Sequence, residues 1–385
     1  MRYKQKWNVT SEHNFSKMKT PQNSSSVTES ITETEMVSHL CRNFIMPDFV
    51  QRGPGDDAAV LHWAEHAPEM VISVDMLTEG VDFLLHRVTP EKIGRKALAV
   101  NLSDLAAMAA APVACVISVA LPKHPRIFPG AYDADGNLLR YLSHSDEIPQ
   151  EVPVQVLLEK LALGVQEMAQ SAQVAIIGGD TNTWNESLVI SITIIGKVEN
   201  KDPFTGRGRA LTRNGAKPGD KILVTGTLGG SILRKQFNFQ PRITEMRLLA
   251  QRYSLHAGMD ISDGLTLDLW RLLQESRCGA ILDLDAVPIS LDAKELSSLR
   301  PGQSTMYDWI PAEFAAKTPL EHALEDGEDF EILFTVSPDT ARKILDEKPL
   351  SIPITCIGEI IPEMELWGHT NNGTKKALSP KGFQH

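Results

Sequence analysis

EKIGRKALAVNLSDLAAMAAAPVACVISVAL, residues Glu91 to Leu121, carries two structural periods in succession. Its first part has the composition and spacing of a helix, predicted over Glu91–Ala111, and its second is a β-branched run predicted as a strand over Val113–Leu121. That strand is apolar on both alternating faces, so it needs cover on each side. The same order recurs outward. Strands are predicted at Ala58–Trp63, Met70–Val74, Val174–Ile177 and Leu188–Val198, and a second helix at Val154–Ser171. Strands alternating with helices predict a layered α/β or α+β fold. Within the quoted stretch, Asn101, Ser103, Asp104 and Pro112 interrupt the apolar run from Ala97 to Leu121. Those residues are costly in hydrocarbon, so the segment is expected to be core rather than a membrane span.

At 385 residues the chain is long enough for two cores. The division is expected near residue 200: residues 32–200 form an N-terminal α/β domain and 201–385 a C-terminal α+β domain, with Glu199–Asp220, rich in Gly, Arg, Lys and Pro, between them. Residues 1–31 are read as a disordered polar tail, followed by capping-box spacing at Thr32 and Glu35. The segment from about 123 to 153 reads as a surface insertion. After a strand at Lys221–Thr225, a helix is expected with Leu265, Leu269, Leu272 and Leu273 on one stripe. Four widely spaced cysteines and no signal-peptide pattern suit a reducing, cytoplasmic setting. A net charge of -11 argues against nucleic acid as partner.

The chemistry is carried by aspartates. Asp57, Asp75, Asp104, Asp180, Asp260 and Asp263 sit near the ends of apolar segments, mostly in Gly- or Ser-rich turns. Carboxylate oxygens are hard ligands for Mg²⁺, which is normally held by a few carboxylates and substrate phosphates. Each position also has a plainer reading. Asp56-Asp57 is either a solvated turn or a pair compensated by a cation; Gly178-Gly179-Asp180 is either a structural turn or a phosphate approach; Arg213 is either a phosphate fork or a linker arginine. Asp104, on an apolar helix, needs a metal or a basic partner. Asp326-Gly327-Glu328-Asp329-Phe330-Glu331 reads as a charge run, usually a solvated face. No P-loop, HExxH or GxSxG pattern occurs.

Together these motifs resemble the thiamine-monophosphate kinase family, part of the superfamily that includes aminoimidazole ribonucleotide synthetase, selenophosphate synthetase and the hydrogenase-maturation dehydratase. The resemblance runs over residues 32–385 and is carried by GDDAAV at Gly55–Val60, SVDMLTEGVDF at Ser73–Phe83, KALAVNLSDLAAM at Lys96–Met108 and IIGGDT at Ile176–Thr181. GRALTRNGAKPGD at Gly208–Asp220, DISDGL at Asp260–Leu265 and GEDFEILFTV at Gly327–Val336 continue it. It implies the two-domain aminoimidazole ribonucleotide synthetase-like fold, a homodimer formed through the N-terminal sheet, and Mg²⁺-dependent transfer from ATP to thiamine monophosphate. It further implies Asp57, Asp75, Asp104, Asp180 and Asp260 as Mg²⁺ ligands, with Ser73, Val74 and Asp263 as further metal contacts. Gly179, Asp180, Arg213 and Ser262 match ATP contacts, and Glu328 and Phe383 match residues that hold thiamine. Asp82 stands where the family usually has a substrate-facing histidine, Val74 where Thr is frequent, and Asp326 where a second glycine is usual. Those departures leave two alternatives: a related ATP-dependent enzyme with another acceptor, or a catalytically silent nucleotide-binding regulator.

Overall fold

The structure is a computed structural model that describes residues 50–52, 60–61, 70–127, 150–198, 210–299 and 316–383. The tail, the capping box and the turn containing Asp57 lie outside the described residues, as does most of the insertion.

The described strands and helices are, in chain order, β1 (Val50–Arg52), β2 (Val60–Leu61), β3 (Met70–Thr78), α1 (Pro90–Ala107), β4 (Ala111–Pro122), β5 (Arg126–Ile127), β6 (Gln150–Glu151), α2 (Val154–Ala172), β7 (Ala175–Trp184) and β8 (Val189–Lys197). Then come β9 (Lys221–Thr225), α3 (Lys235–Asn238), α4 (Ile243–Arg252), β10 (Ala257–Ile261), α5 (Leu265–Ser276), β11 (Gly279–Asp283), α6 (Leu291–Ser298) and α7 (Pro319–Glu325). β12 (Glu331–Val336), α8 (Pro338–Glu347), β13 (Ile354–Ile361), β14 (Leu366–His369) and β15 (Lys375–Ala377) complete the chain.

Two sheets organise the molecule. The first has the order β3-β8-β4-β7, antiparallel except for the parallel pair β4/β7. Its inner face is covered by α1, and α2 packs on α1. The second has the order β10-β12-β9-β13-β11-β14-β15, with β11/β14 its one parallel pair. The fold is thus mixed α/β and α+β, as expected. Its cores interlock: Phe237, Phe239 and Phe330 join the cluster around α1, and Ala106, Ala107 and Ala109 pack with Leu223, Met246 and Phe334.

Three boundaries differ from the sequence reading. β3 runs on to Thr78 instead of ending at Val74, because its pairing with β8 continues to Thr78↔Val189. The other two have local reasons. α1 ends at Ala107, four residues short, because Ala109 adopts φ +53 and the chain turns directly into β4. β7 runs to Trp184 instead of stopping before Gly178, because its pairing with β4 continues through Ile117↔Gly179 and Ser118↔Asp180. A Cβ on Gly179 would lie 2.0 Å from the Ile117 carbonyl oxygen, so glycine is needed there for strand packing.

α1 and α2 approach closely enough to need glycine too. A Cβ on Gly164 would lie 1.7 Å from the Glu91 carbonyl oxygen, a backbone atom that cannot swing aside. Helix propensity favours Ala over Gly by about 1 kcal/mol, whereas overpacking costs about 1–3 kcal/mol. Gly164→Ala is therefore expected to lower the urea-unfolding midpoint, and a rise would show that the helices can separate freely.

Candidate active site

The site forms where the first sheet, α1 and the edge of the second sheet meet. On β3 the side chains alternate: Val71, Ser73, Asp75 and Leu77 face α1, while Ile72, Val74 and Met76 point outward. The Ser73 hydroxyl donates to Asp104 Oδ2 on α1. Ser103, fully buried one residue before, donates to Asp260 Oδ2 on β10 at 2.6 Å. Asp75, Asp104 and Asp260 are thereby drawn together from three elements. Burial, and then the charges of Asp104, Asp268 and Asp75, push the Asp260 carboxyl up to about 8 against the hydrogen bond from Ser103. Asp75 rises to about 7, through burial first and then the adjacent Asp104. Asp104 is raised by burial, with Ser73 and the charge of Arg213 opposing the rise.

Among the described residues, no three carboxylate, histidine or cysteine side chains are already arranged to hold a metal by themselves. The chemistry of the donors still fits Mg²⁺. Three crowded carboxylates carry charge that a hard cation would neutralise, and Mg²⁺ usually takes one or two carboxylates and completes its shell with water and phosphate.

Beside Asp75 opens a cavity of about 460 Å³, whose walls include Asp82, Ser262, Asp263, Glu328, Phe330 and Phe383. Asp82 is held in a tight turn, its Oδ2 accepting from the Thr78 N–H at 2.7 Å. Asp263 is ion-paired with Arg271 at 2.5 Å. Its main-chain carbonyl accepts from the Phe383 N–H at 2.9 Å, and Thr266 accepts from the Lys381 N–H, so the C-terminal segment lies across the start of α5. Glu328 lies 2.7 Å from the fully buried Lys96. Burial raises the Glu328 carboxyl, and the Lys96 ammonium opposes that rise.

Not all the predicted residues converge. Asp75, Ile192, Ile117 and Gly179 occupy one row across the sheet, which puts Gly179 three strands, or about 14 Å, from Asp75. Asp180 pairs with Ser118 and, through Ser191, with Met76, so it belongs to the outer face together with Val74. Within one chain the Asp180 side chain cannot turn toward Asp75, and Val74, whose side chain also points outward, has only its main-chain carbonyl as a possible ligand. Arg213 is exposed in a short turn near Asp104.

The acidic run differs from a solvated face. Asp329 is buried, accepting from the Gly229 N–H at 2.9 Å and Ser231 at 2.5 Å. Asp326 accepts from the Gly230 N–H and pairs with Lys317 and His322. Glu331 is clamped by Arg242 and Lys235. Glu328 lines the cavity together with Asp326, Gly327 and Phe330 of the same run. Sequence reasoning also passed over Lys96, Ser103 and Asp268. Asp268 accepts from the Ser262 and Asp263 N–H groups at 3.0 and 2.9 Å. The available signal was a lysine and a serine inside an apolar helix.

With this geometry in place, comparison with known proteins is decisive. The AIR synthase related protein N-terminal domain matches residues 55–198, and its C-terminal domain matches residues 217–366. The fold is that of an AIR synthase related protein. The thiamine-monophosphate kinase of Rhodopirellula baltica is 36% identical over 339 residues, covering 86% of this chain and 90% of its own. The chain belongs to the thiamine-monophosphate kinase family. The crystal structure of thiamine-monophosphate kinase from Stenotrophomonas maltophilia K279a is 28% identical with a TM-score of 0.61, covering 90% of this chain and 97% of that one. E. coli HypE, a hydrogenase maturation protein, shares the fold at 16% identity and a TM-score of 0.64, covering 91% and 99%.

The raised carboxyls make stability pH-dependent in a defined direction. Asp75 and Asp260 hold protons up to about 7 and about 8, against about 3.9 unfolded, so between those values the folded chain binds more protons. Stability in a chelating buffer is therefore expected to fall as pH rises from about 4 to about 8, and Asp260→Asn should flatten the profile. Thermal melts over that range that are flat or rising for the wild type would contradict the crowding.

Proposed function

We propose that the protein transfers the γ-phosphoryl group of ATP to thiamine monophosphate, giving ADP and thiamine diphosphate, with Mg²⁺ as the metal and a homodimer as the working form. The carrying observation is that Asp75, Asp104 and Asp260 converge beside a cavity whose other wall holds Glu328 and Phe383. Acidic metal-type donors thus meet a pocket combining carboxylate and aromatic surface, suited to a phosphate ester with a cationic ring.

The acceptor is itself a phosphate with a second pKa of about 6, so its attacking oxygen is already ionised at neutral pH. No general base is needed. The difficulty is repulsion between two polyanions, and positioning with charge neutralisation is the usual answer in phosphoryl transfer. Asp75, Asp104 and Asp260 would hold Mg²⁺, which would supply neutralisation of the phosphate charge. Asp57, outside the described residues, is proposed as a further ligand. Ser73 and Ser103 orient the carboxylates that face the metal. Arg213 is proposed to steady the nucleotide phosphates, together with Ser262. Glu328 and Phe383 hold the thiamine portion, while Asp82, fixed by Thr78, is a wall of that pocket rather than a free base.

The division into domains near residue 200 belongs to the same reading, supported by the two family matches on either side of it. The dimer is supported by the outer face of the first sheet, where Ile72, Val74 and Met76 are each more than 60% exposed in a row. An apolar row of this kind on an edge strand calls for cover. A contact through it would also bring the Gly179–Asp180 segment to a boundary between copies. No described helix is long and apolar enough to cross a membrane. Cys115, Cys278 and Cys356 are free thiols, which supports the cytoplasm as the setting.

Thiamine monophosphate should be phosphorylated in the presence of ATP and Mg²⁺, and unphosphorylated thiamine should not, since its hydroxyl would need a base. Product identification by chromatography checks this; turnover of thiamine alone would refute it. Asp75→Asn or Asp104→Asn is expected to keep the fold and cost about a thousandfold in kcat, corresponding to about 4 kcal/mol. A loss of tenfold or less at both positions would make them structural. For the dimer, the double change Val74→Lys with Met76→Lys should give a monomer by light scattering, and an unchanged mass would place the contact elsewhere.

A further inference from the structure

We propose that Lys96 is a positioning residue of the acceptor pocket, holding the Glu328 carboxylate and the Asp82 main chain where they face a bound acceptor. The identity of that acceptor rests on the functional reading above; the role of Lys96 rests on geometry. Lysine is almost never fully buried unless paired, and Lys96 has no exposed surface. Its ammonium lies 2.7 Å from Glu328 Oε2, donates to the Asp82 carbonyl at 3.2 Å, and sits 4.9 Å from the centre of the Phe237 ring. It does not line the cavity. It lies behind two residues that do.

The surroundings make Lys96 the element that decides where Glu328 points. Glu328 and Phe330 both hold left-handed backbone, at φ +68 and +47, which persists only where neighbours over-determine it. The main chain is pinned by Glu328 N–H to the Ser262 carbonyl at 2.7 Å and Phe330 N–H to the Ile261 carbonyl at 2.8 Å. The side chain has no such anchor: Glu328 Oε2 is buried without an aligned hydrogen bond, leaving the ion pair to Lys96 as its described restraint. α1 fixes the other side of the pair. Lys92 donates to Asn238 Oδ1 at 2.7 Å, and Arg95 donates to the Phe237 and Phe239 carbonyls at 3.1 and 2.6 Å. Phe239 in turn stacks on Phe330, with ring centres 4.0 Å apart. Three cations of one helix therefore grip the segment that backs the Glu328 loop, and Lys96 is the one that reaches through to the carboxylate.

The test is steady-state kinetics on the full chain, varying thiamine monophosphate and ATP separately, for wild type, Lys96→Met, Glu328→Gln and the double variant. Lys96→Met is expected to raise the KM for thiamine monophosphate about thirtyfold or more while leaving that for ATP within about twofold. Glu328→Gln should show the same one-sided defect, and the double variant should be no worse than Glu328→Gln alone, because both changes remove one interaction. Equal rises in both KM values, or additive losses in the double variant, would reduce Lys96 to a core residue and overturn the proposal. If Lys96→Met does not fold, Lys96→Arg carries the same comparison, a one-sided rise supporting the role and an even one overturning it. Should the wild type reject thiamine monophosphate, the functional reading fails by itself. Lys96 is then judged from crystal structures of ligand-free Lys96→Met and wild type: a displaced Glu328 carboxylate supports it, and an unmoved side chain overturns it.

Discussion

Like charges brought together in a half-buried place are the constraint on which the structure turns. Asp75, Asp104 and Asp260 come from an edge strand, from the last turns of α1 and from an edge strand of the second sheet. Each would be better solvated apart. Holding them together requires elements that cannot drift, and the interlocked cores supply that rigidity: the end of α1 packs into the second sheet, while three phenylalanines of the second half pack around α1. A protein interior is close-packed enough to transmit such a constraint. The hydroxyls of Ser73 and Ser103 compensate two of the carboxylates, and a cation is the natural complement of what is left.

The same economy governs the acidic run at Asp326–Glu331. A buried carboxylate is tolerated only when donors or cations surround it, and Asp326, Asp329 and Glu331 each meet that condition with backbone N–H groups, a hydroxyl, or lysine, arginine and histidine side chains. Glu328 is met by a single lysine, and it lines the cavity together with Asp326, Gly327 and Phe330. Asp326, Asp329 and Glu331 hold the loop to the glycines and to the strand start.

Much of this was legible beforehand, and the failures have physical causes. The apolar patterning placed β4, α2, β8 and β9 closely and the start of β3, and α5 was visible from its leucine stripe. The motif blocks identified Asp75, Asp104 and Asp260, which do converge. Gly178-Gly179-Asp180 was read as a strand end because glycine usually breaks strands, yet here a neighbouring carbonyl 2.0 Å from the missing Cβ is what demands glycine. The acidic run was read as solvated because its partners, Gly229, Ser231, Lys235 and Arg242, lie about a hundred residues away in sequence. For Lys96 the one local sign of burial is its place in an apolar helix, while its partner Glu328 lies more than two hundred residues away.

Fold by itself would not have chosen the chemistry. HypE superposes at a TM-score of 0.64, no worse than the 0.61 of a thiamine-monophosphate kinase, so the shared architecture supports more than one activity. In this chain the cavity beside Asp75 is walled in part by Asp82, Glu328, Phe330 and Phe383, with Lys96 behind Asp82 and Glu328. Its acidity is useful only if the acceptor brings positive charge of its own, because a bare phosphate would be repelled by Asp82 and Glu328 together. On the proposed function, an acceptor joining a phosphate to a cationic aromatic ring would resolve that conflict, its ring meeting carboxylate and aromatic surface.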